Sequence, residues 1–191
     1  MSRALRADAE RTVRTILEAA ERVLSADPAA TMEQIAEAAG VARTTVHRRF
    51  ATRDALVDAL GAWATRRFAE AVDAVPVEDA PPLVALYQVT ASVLEVKIGW
   101  GFGMTRASAS PDPEVARVHA DVQARCERLF RRARDAGALR PDTDLAWARR
   151  VYYALIHEAS TGDEGKEPGA LATQVVDTLL RGFAMHPERG V

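Results

Sequence analysis

The sequence has one cysteine, Cys126, in 191 residues, which excludes an internal disulfide and any zinc or redox site built on paired thiols. It has only two lysines, Lys97 and Lys166, so nearly all of its positive charge is arginine, a planar bidentate donor. Net charge is also scarce. Twenty-five Lys and Arg face 27 Asp and Glu, a formal −2 that excludes a wholly basic nucleic-acid coat but not a local basic patch. No apolar run approaches the roughly 20 residues that span a bilayer, and the opening MSRALRADAERTVRTILEAA lacks the continuous apolar segment of a signal peptide. The expectation is a cytoplasmic protein with no membrane partner.

Catalytic signatures are missing too. There is no HExxH and no G-x-S-x-G, and neither GWGFG nor DEGKEP stands in the strand-to-helix context of a phosphate-binding loop. The four histidines, His47, His119, His157 and His186, show no close metal spacing. The chain therefore reads as no enzyme, with no cofactor and no metal.

Strand signals are nearly absent: no Asn-Gly or Asp-Gly hairpin occurs, and period-2 alternation is never sustained. Helical spacing recurs throughout, in a chain that is 48% hydrophobic and 27% charged, so the fold class is all-α. Val13, Ile16, Leu17, Ala20, Val23 and Leu24 predict a first helix ending before Pro28. Thr31, with Gln34 three residues on, reads as a capping box opening a short second helix that Gly40 closes. A third short helix covers residues 42–49 and carries Val46 inward. Thr52 caps a long fourth helix reaching about Val75.

PVEDAPP, residues 76–82, cannot continue a helix and marks a domain joint. Helices follow over 83–98, 113–136, 142–160 and from Leu171 onward. A Gly- and Ser-containing segment at 99–110 is read as irregular or short-helical. The expected organisation is a domain over 1–51, a connecting helix over 52–75 and a second helical domain over 76–191.

AGVARTTVHRRF, residues 39–50, concentrates arginine, threonine and histidine. Two short helices around a Gly-containing turn, with small Ala36 at the crossing and Ile35 meeting Val46, form a helix-turn-helix pattern. About 100° per residue turns Arg43, Thr44, His47 and Arg48 outward and Arg49 back toward the support. Arg43 and Arg48 can pair with guanine O6 and N7 or grip phosphates, Thr44 can meet a thymine methyl, and His47 can donate to a phosphate. Thr45, on the flank, can reach a phosphate, as can the helix starts at Thr31 and Thr52 with Arg53 beside them.

The run TMEQIAEAAGVARTTVHRRFATRDALVDAL, residues 31–60, resembles the DNA-binding signature of TetR-family transcriptional regulators. The resemblance implies that Arg43, Thr44, Thr45, His47 and Arg48 face DNA, that Arg53 is the basic residue opening the fourth helix, and that Phe50 packs the motif. Two positions depart from the family pattern. Ala42 stands where a serine cap is common, and His47 where tyrosine is usual. The resemblance also implies a homodimer on a palindromic double-stranded DNA operator, acting as a repressor released by a small-molecule effector. The alternative is a helical small-molecule binding module without DNA binding.

For the effector, the candidates mixing apolar bulk with polar tips are Tyr87, Trp100, Phe102, Met104, His119, Cys126, Tyr152 and Tyr153. All equally suit a helical core. Leu155, Val175, Val176, Leu179, Leu180 and Phe183 cover more than one face of the last two helices and are read as the dimer interface.

Overall fold

A computed structural model describes residues 3–110, 112–161 and 165–183. Among them are nine helices and no strand: α1 Arg3–Ala26, α2 Met32–Ala38, α3 Arg43–Arg49, α4 Arg53–Asp73, α5 Pro82–Gly99, α6 Gly101–Ser108, α7 Pro113–Asp135, α8 Leu145–Thr161 and α9 Pro168–Phe183. The helix ends follow local chemistry. Thr31 Oγ1 accepts the Gln34 amide while the Gln34 side chain accepts the Thr31 amide, completing the predicted capping box. Gly40 takes φ 65°, the left-handed conformation in which a Cβ is strained. Thr52 Oγ1 accepts the Ala55 amide, and Asp144 accepts those of Ala146 and Trp147 at the start of α8. Residues 99–110 contain a helix, α6, separated from α5 by Trp100 alone.

The chain forms two compact units. The first is Met1–Arg67 with Trp100–Val115, the second Phe68–Gly99 with Ala116–Val191. The core of the first joins Ile16, Leu17, Leu24, Ile35, Val46, Leu56 and Leu60, each under 2% exposed. Glu21 interrupts this apolar stripe of α1 and is itself buried. Its two carboxylate oxygens accept the amides of Phe102 and Gly103 at 2.8 and 2.9 Å, and one also accepts the Ser25 hydroxyl at 3.0 Å. The negative group thus satisfies free N–H donors in the first turn of α6. A Cβ on Gly103 would lie 2.9 Å from that of Ala64, so glycine lets α6 reach this position.

The core of the second unit combines α5, α7, α8 and α9 around Leu94, Phe130, Leu139, Ala148, Leu171 and Val176. PVEDAPP lies within this unit, with Val77 buried in its core. Arg132 of α7 holds the segment by donating to the carbonyls of Val77 and Ala80. Among the described residues, no helix is long and apolar enough to cross a membrane.

Candidate nucleic-acid interface

In the first unit, α2 and α3 meet through Ile35 and Val46, both fully buried, with Ala36 at 3% exposure where the helices cross. This packing presents one face of α3 outward. Arg43, Thr44, His47 and Arg48 are all exposed, and Thr45 is half-buried at the edge. Arg49, read as turned toward the support, is exposed as well. Phe50 is buried at the C-cap, and Ala42 at the N-cap makes no side-chain cap bond, as its methyl dictates.

The surrounding polar contacts were not readable from spacing. Arg43 bridges the two helices: a terminal nitrogen lies 2.6 Å from Glu33 Oε1, and its Nε donates to His47 Nε2 at 3.4 Å. Arg53 donates to the carbonyls of Pro28 and Ala30, tying the loop between α1 and α2 to the start of α4. Thr31 and Thr52 each accept one backbone amide; the Thr31 hydroxyl also donates to Glu33, which leaves the Thr52 proton free to donate elsewhere.

The eight predicted effector residues divide between the units. Trp100, Phe102 and Met104 belong to the first, where Trp100 and Phe102 pack on its core and Met104 is buried. Trp100 lies against Trp63, ring centres 6.5 Å apart, and Arg66 sits over the Trp63 ring. Tyr87, His119, Cys126, Tyr152 and Tyr153 belong to the second. Tyr152 is buried between Phe130 and Tyr153, at 5.4 and 5.9 Å, and shares a 2.8 Å hydrogen bond with Thr90. Burial pushes the Tyr152 phenol up and raises the Cys126 thiol to about 11. Partial burial likewise raises Tyr153, which is hydrogen-bonded to Cys126 and 39% exposed. Tyr87 donates to Asp177, a bond that raises its own pKa. His119 meets Phe68 edge-on, and its burial lowers its pKa.

The predicted interface residues are mostly internal. Val175, Val176 and Leu179 are at most 3% exposed and belong to the core of their own chain, and Leu155 and Leu180 are half-buried against it. The side chain of Phe183 lies outside the described residues. A groove of about 200 Å³ runs between α8 and α9, lined by Leu155, Glu158, Ala159, Gln174, Val175 and Thr178 among others. None of the eight predicted effector residues lines it. Among the described residues, no group of three or more His, Cys, Asp or Glu side chains is placed to hold a metal ion.

A family model described as bacterial regulatory proteins, tetR family, matches residues 16–60, a stretch that runs from α1 into α4. The HTH-type transcriptional repressor LfrR of Mycolicibacterium smegmatis is 35% identical over 173 residues, covering 90% of this chain and 87% of LfrR. The HTH-type transcriptional regulator NfxB of Pseudomonas aeruginosa is 26% identical over 166 residues, covering 85% and 88%. The crystal structure of LfrR from Mycobacterium smegmatis in complex with proflavine matches with a TM-score of 0.71 at 28% identity, over 93% of this chain and 99% of that one. With the α2–α3 geometry, these likenesses establish that the chain belongs to the TetR family of helix-turn-helix, DNA-binding transcriptional regulators.

Proposed function

We propose that this regulator is a cytoplasmic homodimeric repressor, that α3 reads a palindromic operator, and that a small organic effector releases it. The observation that carries the DNA reading is the α3 surface. Arg43, Thr44, His47 and Arg48 stand exposed over buried Val46, on a helix seated by the capped α2. Arg43 and Arg48 supply forks that match guanine O6 and N7. Thr44 offers a methyl, and His47 and Thr45 offer hydrogen bonds to phosphate. The Thr52 hydroxyl and the helix start at Thr31 extend the phosphate contacts. Arg53 positions the loop at Pro28 and Ala30 and keeps further N–H groups for the backbone.

One such module has few base contacts, so operator affinity calls for two copies reading half-sites about 34–36 Å apart. The outer faces of α8 and α9, where Leu155 and Leu180 are half-buried, support the dimer reading. Repression and an organic effector are supported by LfrR, named a repressor and solved with proflavine. Within the second unit, Tyr87, His119, Cys126, Tyr152 and Tyr153 supply aromatic and polar groups for such a ligand.

The test is selection of bound duplexes from genomic DNA fragments by the full-length chain, before and after adding proflavine. Enrichment of a palindrome supports the reading, and its loss with proflavine supports release by an organic cation. Failure to enrich any sequence favours a small-molecule binding module without DNA binding. On the enriched operator, Arg43→Ala is expected to cost about 1–3 kcal/mol and to relax preference at one base position per half-site. Equal weakening on every sequence would make Arg43 a phosphate contact instead.

A further inference from the structure

Glu33 belongs to α2 but acts on α3. Its Oε1 lies 2.6 Å from a terminal nitrogen of Arg43, whose Nε lies 3.4 Å from Nε2 of His47, one turn further along α3. A guanidinium nitrogen of this kind has a hydrogen to give and no lone pair, so in this contact His47 Nε2 is the acceptor. The guanidinium is thus held from both sides. All three side chains are exposed, and Val46 beneath them is fully buried.

An exposed ion pair contributes little to folding. A carboxylate on a surface that meets a polyphosphate also opposes binding by simple repulsion. Glu33 therefore has a cost for general DNA affinity and little return in stability, unless orienting Arg43 is its role. A free arginine on a long stem can turn to the nearest phosphate, which carries no sequence information. An arginine whose fork is tethered by a carboxylate and an imidazole has fewer orientations to lose when it meets a base edge. The amide of Glu33 itself, together with Arg43 and Thr31, holds the Glu33 carboxyl below the usual carboxylate range, so the tether is charged at neutral pH.

We propose that Glu33 is a specificity-determining positioning residue: by holding the Arg43 guanidinium beside His47 it keeps that arginine from phosphates and directs it to one base position. This rests on the reading that α3 enters a DNA groove. It adds a residue outside α3 to the determinants of operator choice.

The experiment compares full-length wild type, Glu33→Gln, Arg43→Ala and the double variant by enrichment from a random-sequence duplex pool. Binding to a mixed-sequence duplex over a salt series completes the set, with thermal midpoints as the folding control. For Glu33→Gln, discrimination at the base position that Arg43→Ala also relaxes should fall toward unity. A bidentate arginine–guanine pair gives about 5- to 150-fold there. Mixed-sequence affinity should rise, with a log K against log salt slope steeper by about 0.9, as one more phosphate is engaged. The double variant should lose no further preference beyond Arg43→Ala.

Unchanged base preference in Glu33→Gln overturns the proposal, even if affinity rises, because Glu33 then acts by charge alone. Uniform weakening with a lowered thermal midpoint overturns it in favour of a structural role. If wild type enriches no sequence, the DNA reading itself fails and this proposal falls with it, an outcome distinct from an altered preference in the variant alone.

Discussion

Val46 in the first unit and Tyr152 in the second are both buried on one face of a helix, but their surroundings differ. Around Val46 the neighbouring positions of α3 are Arg43, Thr44, His47 and Arg48, all exposed. Around Tyr152 the polar contact faces inward: its hydroxyl meets Thr90 and its ring lies between Phe130 and Tyr153, which is itself exposed at 39% and hydrogen-bonded to Cys126. The same helical period therefore leaves a polar surface on the short α3, whereas on α8 the aromatics Trp147 and Tyr153 are exposed beside buried Tyr152. The first unit also has a polar group inside, Glu21, but that group pairs with the backbone amides of Phe102 and Gly103 and with Ser25 of its own helix. In this unit buried polarity builds the frame and the remaining polarity of α3 stays on the surface.

The largest expected effect tests that frame. Glu21→Ala leaves the Phe102 and Gly103 amides without their acceptor. At about 1–3 kcal/mol for each buried donor left unpaired, the loss is roughly 2–6 kcal/mol of stability, measured as a shifted urea midpoint by circular dichroism. A cost below about 1 kcal/mol would show that water replaces the carboxylate and that the polar interior of the first unit is dispensable.

The second unit should be more forgiving. Thr90 already gives its hydroxyl proton to the Leu86 carbonyl at 2.6 Å, so Tyr152 is the donor in their shared bond. Tyr152→Phe removes that donor without orphaning another, at about 0.5–1.5 kcal/mol on the same assay. A larger loss would place the Tyr152 hydroxyl in a wider polar network and weaken the contrast between the units.

The smallest effect concerns pH. Burial holds the folded-state pKa of His119 below its ordinary 6.5, so the native chain binds fewer protons than the unfolded one between the two values. Stability is then unaffected by this group above pH 6.5, falls as pH drops below it, and levels once the folded pKa is passed. Replacing His119 with Asn should flatten that limb of the stability profile. An unchanged profile would assign the acid sensitivity to other groups.

Much of the first unit was legible in the sequence because its signals are local. The Thr31–Gln34 box, the positive φ of Gly40, the missing cap at Ala42 and the Thr52 cap each depend on residues a few positions apart. Even here the long side chains escaped. Arg49 is exposed although its spacing turned it toward the support, and Arg53 is hydrogen-bonded to the carbonyls of Pro28 and Ala30. In the second unit periodicity identified α8 and α9 but not the use of their faces. Val175, Val176 and Leu179 fit an interface as well as a core, and only the position of α5 against α9 decided between them. Glu21 had a signal, a charge at a position of the apolar stripe between Leu17 and Leu24. What that signal could not supply was its partner.

By itself, the sequence determined that the chain is helical, where most helices begin and end, and which face of α3 is polar. Those properties arise from caps, turns and the i, i+3, i+4 geometry, all of short range. The tertiary structure alone decided that residues 100–115 return to the first unit and that Glu21 meets amides 81 and 82 positions away. It also decided that Glu33 reaches from α2 to Arg43 and that Tyr152, flanked by aromatics, is buried. The reason is physical. A helix stripe states only that something must cover it, and a charged side chain only that something must satisfy it. Which group does so depends on packing between segments that the chain brings together over long separations.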